Sequence, residues 1–246
     1  MAILTQLILY PIKSCAGIAL EEALATVSGL YAQGVHDREW MLVDGEGQFL
    51  TQREYPRMAT IRPRVEGEAL VVTAPGMPPL RLPLALDGGA PTLRVRIWDD
   101  EVEAGDCGDA AAAWFRDALG GACRLVRFRP GLERPTSTKW TGGAPSSARF
   151  ADAYPLLLIG AAALDEINAR MLAAGREALP MNRFRPNLVV EGSDPFEEDY
   201  TESLRTGDIV IKPVKPCARC PIPAVDQSTG IPGPDPVSYT HLRAHE

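Results

Sequence analysis

The sequence predicts a mainly β protein with some α (α+β). Three observations lead there. Short apolar or β-branched runs recur along the first half, each stopped by Pro or Gly. Leu93, Val95 and Ile97 alternate with Arg94 and Arg96, the period-2 mark of a half-buried strand. Only two segments carry convincing helical spacing. Many short strands with this punctuation favour a barrel or rolled sheet.

In chain order, Leu4 to Leu9 and Met41 to Val43 read as strands. Ala69 to Thr73 is β-branched and halts at Pro75-Gly76. Asp99-Asp100 predicts a turn from the Leu93–Ile97 strand into Val102 to Ala104. Asp106-Cys-Gly-Asp109 reads as a turn with Cys107 buried, and Asp109 as N-cap of a helix from Ala110 to Leu119. Trp114, Phe115, Ala118 and Leu119 form its apolar stripe, and Gly120-Gly121 ends it. Thr136 to Ser147 reads as a mobile surface loop. Ala161 to Ala174 places Leu164, Ile167 and Met171 at helical spacing, closed by Gly175. Leu188 to Val190 and Ile209 to Val214 are strand-like.

The 246 residues are 46% hydrophobic, enough for one large domain or two small ones. A net charge of −7 argues against a nucleic-acid partner, whose binding is driven by phosphate neutralisation. Five cysteines at wide, irregular spacing do not make a disulfide framework, so a cytoplasmic location is expected. The N-terminus lacks a basic region before its apolar run, and the later run from Pro155 to Leu164 is too short to span a bilayer. No membrane association is expected. The three histidines, His36, His241 and His245, leave little for histidine-based chemistry.

The most informative segment is Lys215-Pro-Cys-Ala-Arg-Cys-Pro-Ile-Pro-Ala-Val-Asp-Gln-Ser-Thr-Gly230. Cys217 and Cys220 form a Cys-x-x-Cys pair with an Arg inside it. A thioredoxin-type motif needs a following helix, which Pro221 and Pro223 oppose. A four-cysteine zinc site needs a second knuckle, and the sequence shows none. Redox, metal and purely structural readings stay open on spacing alone.

Other segments are rich in anion-binding groups. Lys13 and Ser14 end a strand and could hold a phosphate, although a solvated Lys is the simpler reading. Arg38, in His36-Asp-Arg-Glu-Trp40, and Thr51-Gln-Arg53 offer more of the same chemistry, against the simpler reading of surface ion pairs. Met181-Asn-Arg-Phe-Arg-Pro-Asn187 holds two Asn and two Arg in seven residues, a donor set suited to a polar heterocycle with a phosphate.

Seven ordered motifs resemble one family. They are Tyr10-Pro-Ile-Lys-Ser-Cys-x-Gly17, Asp37-Arg-x-Trp-x-Leu-Val-Asp44, Phe49-Leu-Thr-Gln-Arg53, Gly105-Asp-x-x-Asp109, Phe150-Ala-Asp-x-Tyr-Pro-Leu-Leu-Leu-Ile159, Arg183-Phe-Arg-Pro-Asn187, and Pro216-Cys-x-Arg-Cys220 with Asp226-x-x-Thr-Gly230. The chain thereby resembles MOSC-domain proteins with the MOSC N-terminal β-barrel region, and among them the bacterial relatives of the mitochondrial amidoxime-reducing component.

The resemblance implies residues 1–121 as the N-terminal β-barrel-like region, 122–235 as the MOSC domain and 236–246 as a foreign or disordered tail. It implies a molybdenum cofactor, Mo-molybdopterin, with Cys220 as the protein ligand to the metal. Lys13, Ser14, Arg38, Asp152, Tyr154, Arg185 and Asn187 match cofactor-binding positions, and Asp226 is a weak candidate for proton relay. The implied reaction reduces N-hydroxylated compounds. Electrons are expected from a separate donor protein, because no Cys-x4-Cys-x2-Cys cluster motif is present. The alternative is a cofactor or sulfur carrier. MOSC domains also end molybdenum cofactor sulfurases, whose pyridoxal phosphate binding belongs to another domain that this sequence lacks.

One departure stands out. The sequence stops sixteen residues after Gly230, where relatives continue with strands that close the barrel. Missing strands leave edges unpaired, so weaker stability and poorer cofactor binding than in relatives are expected.

Overall fold

The chain, seen in a computed structural model, is described over residues 2–85, 89–217 and 220–233. The tail 236–246, with His241 and His245, lies outside the described residues, as does Arg219 between the two cysteines. The first half gives β1 (Ile3–Leu9), β2 (Ile18–Leu20), β3 (Leu24–Thr26), β4 (Gly29–Ala32), β5 (Val35–His36), β6 (Trp40–Val43), β7 (Arg62–Glu66), β8 (Ala69–Thr73), β9 (Leu80–Pro83), β10 (Thr92–Ile97), β11 (Asp100–Asp106) and α1 (Asp109–Leu119). The second gives β12 (Arg124–Phe128), α2 (Thr138–Thr141), β13 (Leu158–Gly160), α3 (Ala161–Ala173), β14 (Leu188–Glu191), β15 (Leu204–Thr206) and β16 (Ile209–Ile211). The class is mainly β with α, as the sequence predicts.

Two four-stranded sheets organise the chain. One runs β13-β14-β1-β2 and is antiparallel except for the β13–β14 pair. The other runs β10-β11-β12-β6 and is antiparallel throughout. Three of these pairings therefore cross the middle of the sequence. β1 pairs with β14, and β12 pairs with both β11 and β6.

β6 reads as an unbroken apolar run because both its faces are covered. Trp40 and Leu42 enter one hydrophobic core with Leu9, Ile12 and Phe115. Met41 and Val43 enter a second with Val95, Ile97, Val126 and Phe128. Each such fully buried side chain contributes roughly 1.5–3 kcal/mol of transfer free energy. α1 lays Ala111, Trp114, Phe115 and Leu119 on the first core, and Trp114 Nε1 donates to Pro78 O at 2.6 Å. Gly120, at φ +77, closes this helix in the left-handed region.

Some local expectations need correction. Asp109 is the first helical residue and not the N-cap, which is Gly108. Its carboxylate instead accepts from Arg124 Nη2 at 3.0 Å. Cys107 is only partly buried. The 136–147 segment contains α2 and is pinned at its base by a bridge from Pro135 to Ser147. β16 ends at Ile211, because Lys212 and Pro213 follow and Pro cannot extend the ladder.

Candidate functional site

Three chain segments run together beside the end of β1. Arg38 N donates to Tyr10 O at 2.7 Å, Trp40 N to Pro11 O at 3.0 Å, and Lys13 N to Trp40 O at 2.8 Å. Ile8 N donates to Asn187 O at 2.8 Å, and Asn187 Nδ2 returns a bond to Ile8 O at 3.0 Å. This backbone lacing sets residues 10–15, 37–40 and 185–187 side by side.

The side chains at this junction are buried and mostly charged. Lys13, Ser14, Asp37, Arg185 and Asn187 are all in the interior. Lys13 Nζ donates to Asp152 Oδ1 at 2.6 Å and to Phe150 O at 2.9 Å. Arg38 pairs with Asp37, and its Nη1 donates to Asn187 Oδ1 at 2.8 Å. Asn187 Nδ2 donates to Asp37 Oδ1 at 2.9 Å, and Tyr10 N to the same oxygen at 2.8 Å. The guanidinium carbons of Arg38 and Arg185 each lie 4.4 Å from the centre of the Tyr10 ring.

Arg134 builds the far wall. It donates to the carbonyls of Arg149, Ala151 and Asp152 at 3.0, 2.6 and 3.1 Å, and to Asp100 Oδ2 at 2.6 Å. That fixes the turn that presents Asp152 to Lys13.

The junction is rich in buried charge. Three cations, Lys13, Arg38 and Arg185, face two carboxylates, Asp37 and Asp152. Burial pulls Lys13 below the ordinary lysine value, Asp152 partly offsets this, and Arg38 and Arg134 add to it. Burial pushes Asp37 up, against the pull of Arg38 and the bonds from Tyr10 and Asn187. For Asp152 the loss of water acts upward, but the Lys13 ammonium and bonds from Lys13 and Trp98 outweigh it and hold the carboxyl well below the usual range.

Arg185 is the least compensated group. Burial lowers its pKa, its Nη2 has no hydrogen-bond partner, and it enters no ion pair among the described residues. Its one side-chain bond among the described residues, Nη1 to Gln227 Oε1, is long at 3.5 Å. A desolvated cation costs several kcal/mol, and a cation–π contact returns only about 2 kcal/mol.

Backbone strain gathers here. Ser14, Arg38 and Arg185 all have positive φ, at +65, +47 and +57. Such non-glycine residues cost about 1–3 kcal/mol each and cluster at ligand sites.

The C-terminal segment docks on this junction. Gln227 exchanges bonds with Gln52 at 2.8 and 3.1 Å, and Gln52 Nε2 donates to Ser14 O at 2.7 Å. Arg183 donates to Ala224 O at 3.0 Å and to Asp226 Oδ2 at 2.8 Å. Gly230, at φ +69, lies against the turn Pro56–Thr60. A Cβ there would stand 3.0 Å from Arg57 Cα.

A family model of the MOSC N-terminal beta barrel domain matches residues 1–122, and one of the MOSC domain matches residues 145–244. Rat mitochondrial amidoxime reducing component 2 is 36% identical over 91% of this chain and 66% of its own length. Human mitochondrial amidoxime-reducing component 1 is 32% identical over 92% of this chain and 67% of its own.

The chain belongs to the MOSC-domain family.

The bovine component 2 agrees, at 33% identity over 92% of the chain and 67% of its own length. The chain spans just under two thirds of the rat relative. A Bordetella bronchiseptica solution structure aligns over 45% of this chain and 91% of its own at 26% identity, with a TM-score of 0.37, too low to carry an argument.

In this MOSC chain the expected site residues fall into three groups. Lys13, Ser14, Arg38, Asp152, Arg185 and Asn187 stand in one hydrogen-bonded junction that includes Gln52 and Gln227. Cys220 is half-buried just before the turn Ile222–Ala224, on the segment anchored by Arg183 and Gln227, and Cys217 is exposed. Tyr154 Oη donates to Ser137 O at 3.3 Å.

Asp226 is tied into its own turn. Its Oδ1 accepts from Ser228 N at 2.8 Å and Thr229 N at 2.9 Å, and its Oδ2 from Arg183. The bonds from Ser228 and Thr229 hold its carboxyl well below the usual range, so it is a fixed anion that shapes its turn.

The cysteines also sort by environment. Burial pushes the thiols of Cys15 and Cys107 up to about 12 and that of Cys123 to about 11, which leaves them inert. Cys217 and Cys220 are the two outside the core. No three His, Cys, Asp or Glu residues among the described residues are grouped as an all-protein metal site. A metal brought in on its own organic ligand needs only one protein sulfur. No helix among the described residues is long and apolar enough to cross a membrane.

Sequence reading missed Tyr10, Asp37, Gln52 and Gln227. Asp37 beside Arg38 resembles a surface ion pair. The signal for burial was there in the flanking Val35 and Trp40.

Proposed function

We propose that this MOSC protein binds a molybdenum cofactor and reduces N-hydroxylated compounds at the N–O bond. The observation that carries the reading is Arg185, a buried guanidinium whose Nη2 has no partner among the described residues, set beside Arg38 on the Tyr10 ring. The donor set fits a phosphorylated pterin, which is anionic and rich in hydrogen-bonding edges. Similarity to relatives named as amidoxime reducing components supplies the substrate class.

In this reading Lys13, Ser14, Arg38 and Arg185 hold the phosphate and polar edge. Asp37 and Asn187 fix the Arg38 fork, and Asp152 fixes Lys13. Cys220 supplies the thiolate for the metal. Arg183, Gln227 and Gly230 position its loop against Gln52 and the turn Pro56–Thr60. Tyr154 acts only through the 136–147 loop that it ties down. The cofactor, when bound, supplies two-electron oxygen-atom chemistry. The net reaction takes two electrons and two protons, breaks N–O and releases water. The electrons come from a separate donor protein. Water is the proton source in this reading; burial lowers the pKa of His36, whose ring lies 4.6 Å from that of Tyr31.

The test is reduction of benzamidoxime by purified protein with a reduced viologen dye. Amidine formation that depends on Cys220 supports the reading. Protein that retains molybdenum without turnover would instead be a carrier.

A further inference from the structure

Trp98 sits where its residue type is disfavoured. It is the first of two residues joining β10 to β11, where Ile97 pairs with Asp100, and its φ is +55. That position of a two-residue hairpin loop is ordinarily glycine's, because a left-handed L residue costs about 1–2 kcal/mol.

Burial does not explain the choice, since Trp98 is 43% exposed. Its ring meets Phe49 at 5.0 Å between centroids. Its Nε1 donates to Asp152 Oδ1 at 3.1 Å, the oxygen that Lys13 also holds. The guanidinium carbon of Arg53 lies 5.0 Å from the ring centre. Arg53 in turn lines a cleft of about 190 Å³ with Gln52, Pro221 and Ile222, the last two directly following Cys220. The Trp98–Arg53 pair thus spans from the Lys13–Asp152 pair to the cysteine loop. A broken local rule at a side chain that keeps much of its face in solvent is a mark of function.

We propose that Trp98 and Arg53 form the recognition surface for a planar, π-conjugated N-hydroxylated substrate. The inference rests on the N–O reduction reading above. A flat conjugated face stacks on the indole, and the guanidinium adds its own planar contact. Asp152 fixes the ring through its N–H, so little order is lost on binding. A saturated ring of equal size offers no π face and gains less.

The experiment compares benzamidoxime with cyclohexanecarboxamidoxime on the full chain, by equilibrium titration and by KM. Trp98→Gly should keep or raise the thermal midpoint, since Gly accepts the backbone. It should weaken benzamidoxime binding and raise its KM about three- to tenfold, with under twofold change for the saturated analogue. Trp98→Phe should retain most of the benzamidoxime affinity. Equal losses for both ligands, no loss for either, or a Phe variant as weak as the Gly variant would overturn the proposal. Wild-type protein that binds benzamidoxime without reducing it sinks the reductase reading and leaves this surface standing. Wild-type protein that reduces it with Trp98→Gly unchanged sinks this inference alone.

Discussion

Arg38 Nη1 donates to Asn187 Oδ1 at 2.8 Å, joining residues 149 positions apart in sequence. The same Asn187 oxygen accepts from Leu157 N at 3.2 Å, and its Nδ2 serves Asp37 and Ile8. One carboxamide therefore ties β1, the Arg38 turn, the approach to β13 and the approach to β14. Truncation would leave buried groups unpaired on all of them.

Asn187→Ala should accordingly destabilise the fold by about 2–4 kcal/mol, from several buried groups at about 1–3 kcal/mol each. Urea unfolding reads this as a lower midpoint at unchanged slope. A change under about 0.5 kcal/mol, the size expected of a surface substitution, would contradict the network.

Arg185→Met should move stability and binding in opposite directions. Replacing an uncompensated buried cation by an apolar chain of similar size removes a desolvation cost of several kcal/mol and should be neutral or stabilising. The cofactor-free protein should melt at the same or a higher temperature while losing cofactor retention. A clear fall in the midpoint would mean that Arg185 is held by compensation within the fold.

Asp152 gives a pH signature. Its folded pKa is depressed, so its contribution is present above the unfolded carboxylate value and is lost as pH falls through the folded one. Acid titration of stability should therefore be shallower in Asp152→Asn below about pH 4. The side chain is 63% exposed, so the difference should shrink in high salt. Superimposable acid limbs would show that the Lys13 pair carries no weight.

Gly230→Ala adds a methyl group 3.0 Å from the Arg57 backbone at φ +69. The clash should loosen the Cys220 loop and leave the two main sheets intact. Hydrogen exchange should rise at residues 224–233 and stay unchanged in β1 and β14. Uniform change or none would remove Gly230 as the anchor.

Much of the fold was legible from local pattern. The residues of β8 match their sequence expectation end to end, because β-branched runs with a Pro-Gly stop need no distant help. The short β16 was over-extended because Val214 looked strand-like while Pro213 decided otherwise. At the site, the motifs pointed to Lys13, Arg38, Arg185 and Asn187, whose donor chemistry is visible in their side chains. The partners Asp37, Gln52 and Gln227 were not legible. Their role comes from bonds spanning many residues, such as the 175 between Gln52 and Gln227, and no periodicity encodes those. Trp98 escaped for a related reason, since its backbone angle and not its neighbours sets it apart.

The most direct measurement is molybdenum per chain in protein purified from molybdenum-replete cells, for the wild type, Cys217→Ala and Cys220→Ala. About one Mo per chain, as for a filled mononuclear site, is expected in the first two and almost none in the third. Wild-type protein without molybdenum, or Cys220→Ala protein that keeps it, would rule out Cys220 as the ligand of a bound molybdenum cofactor.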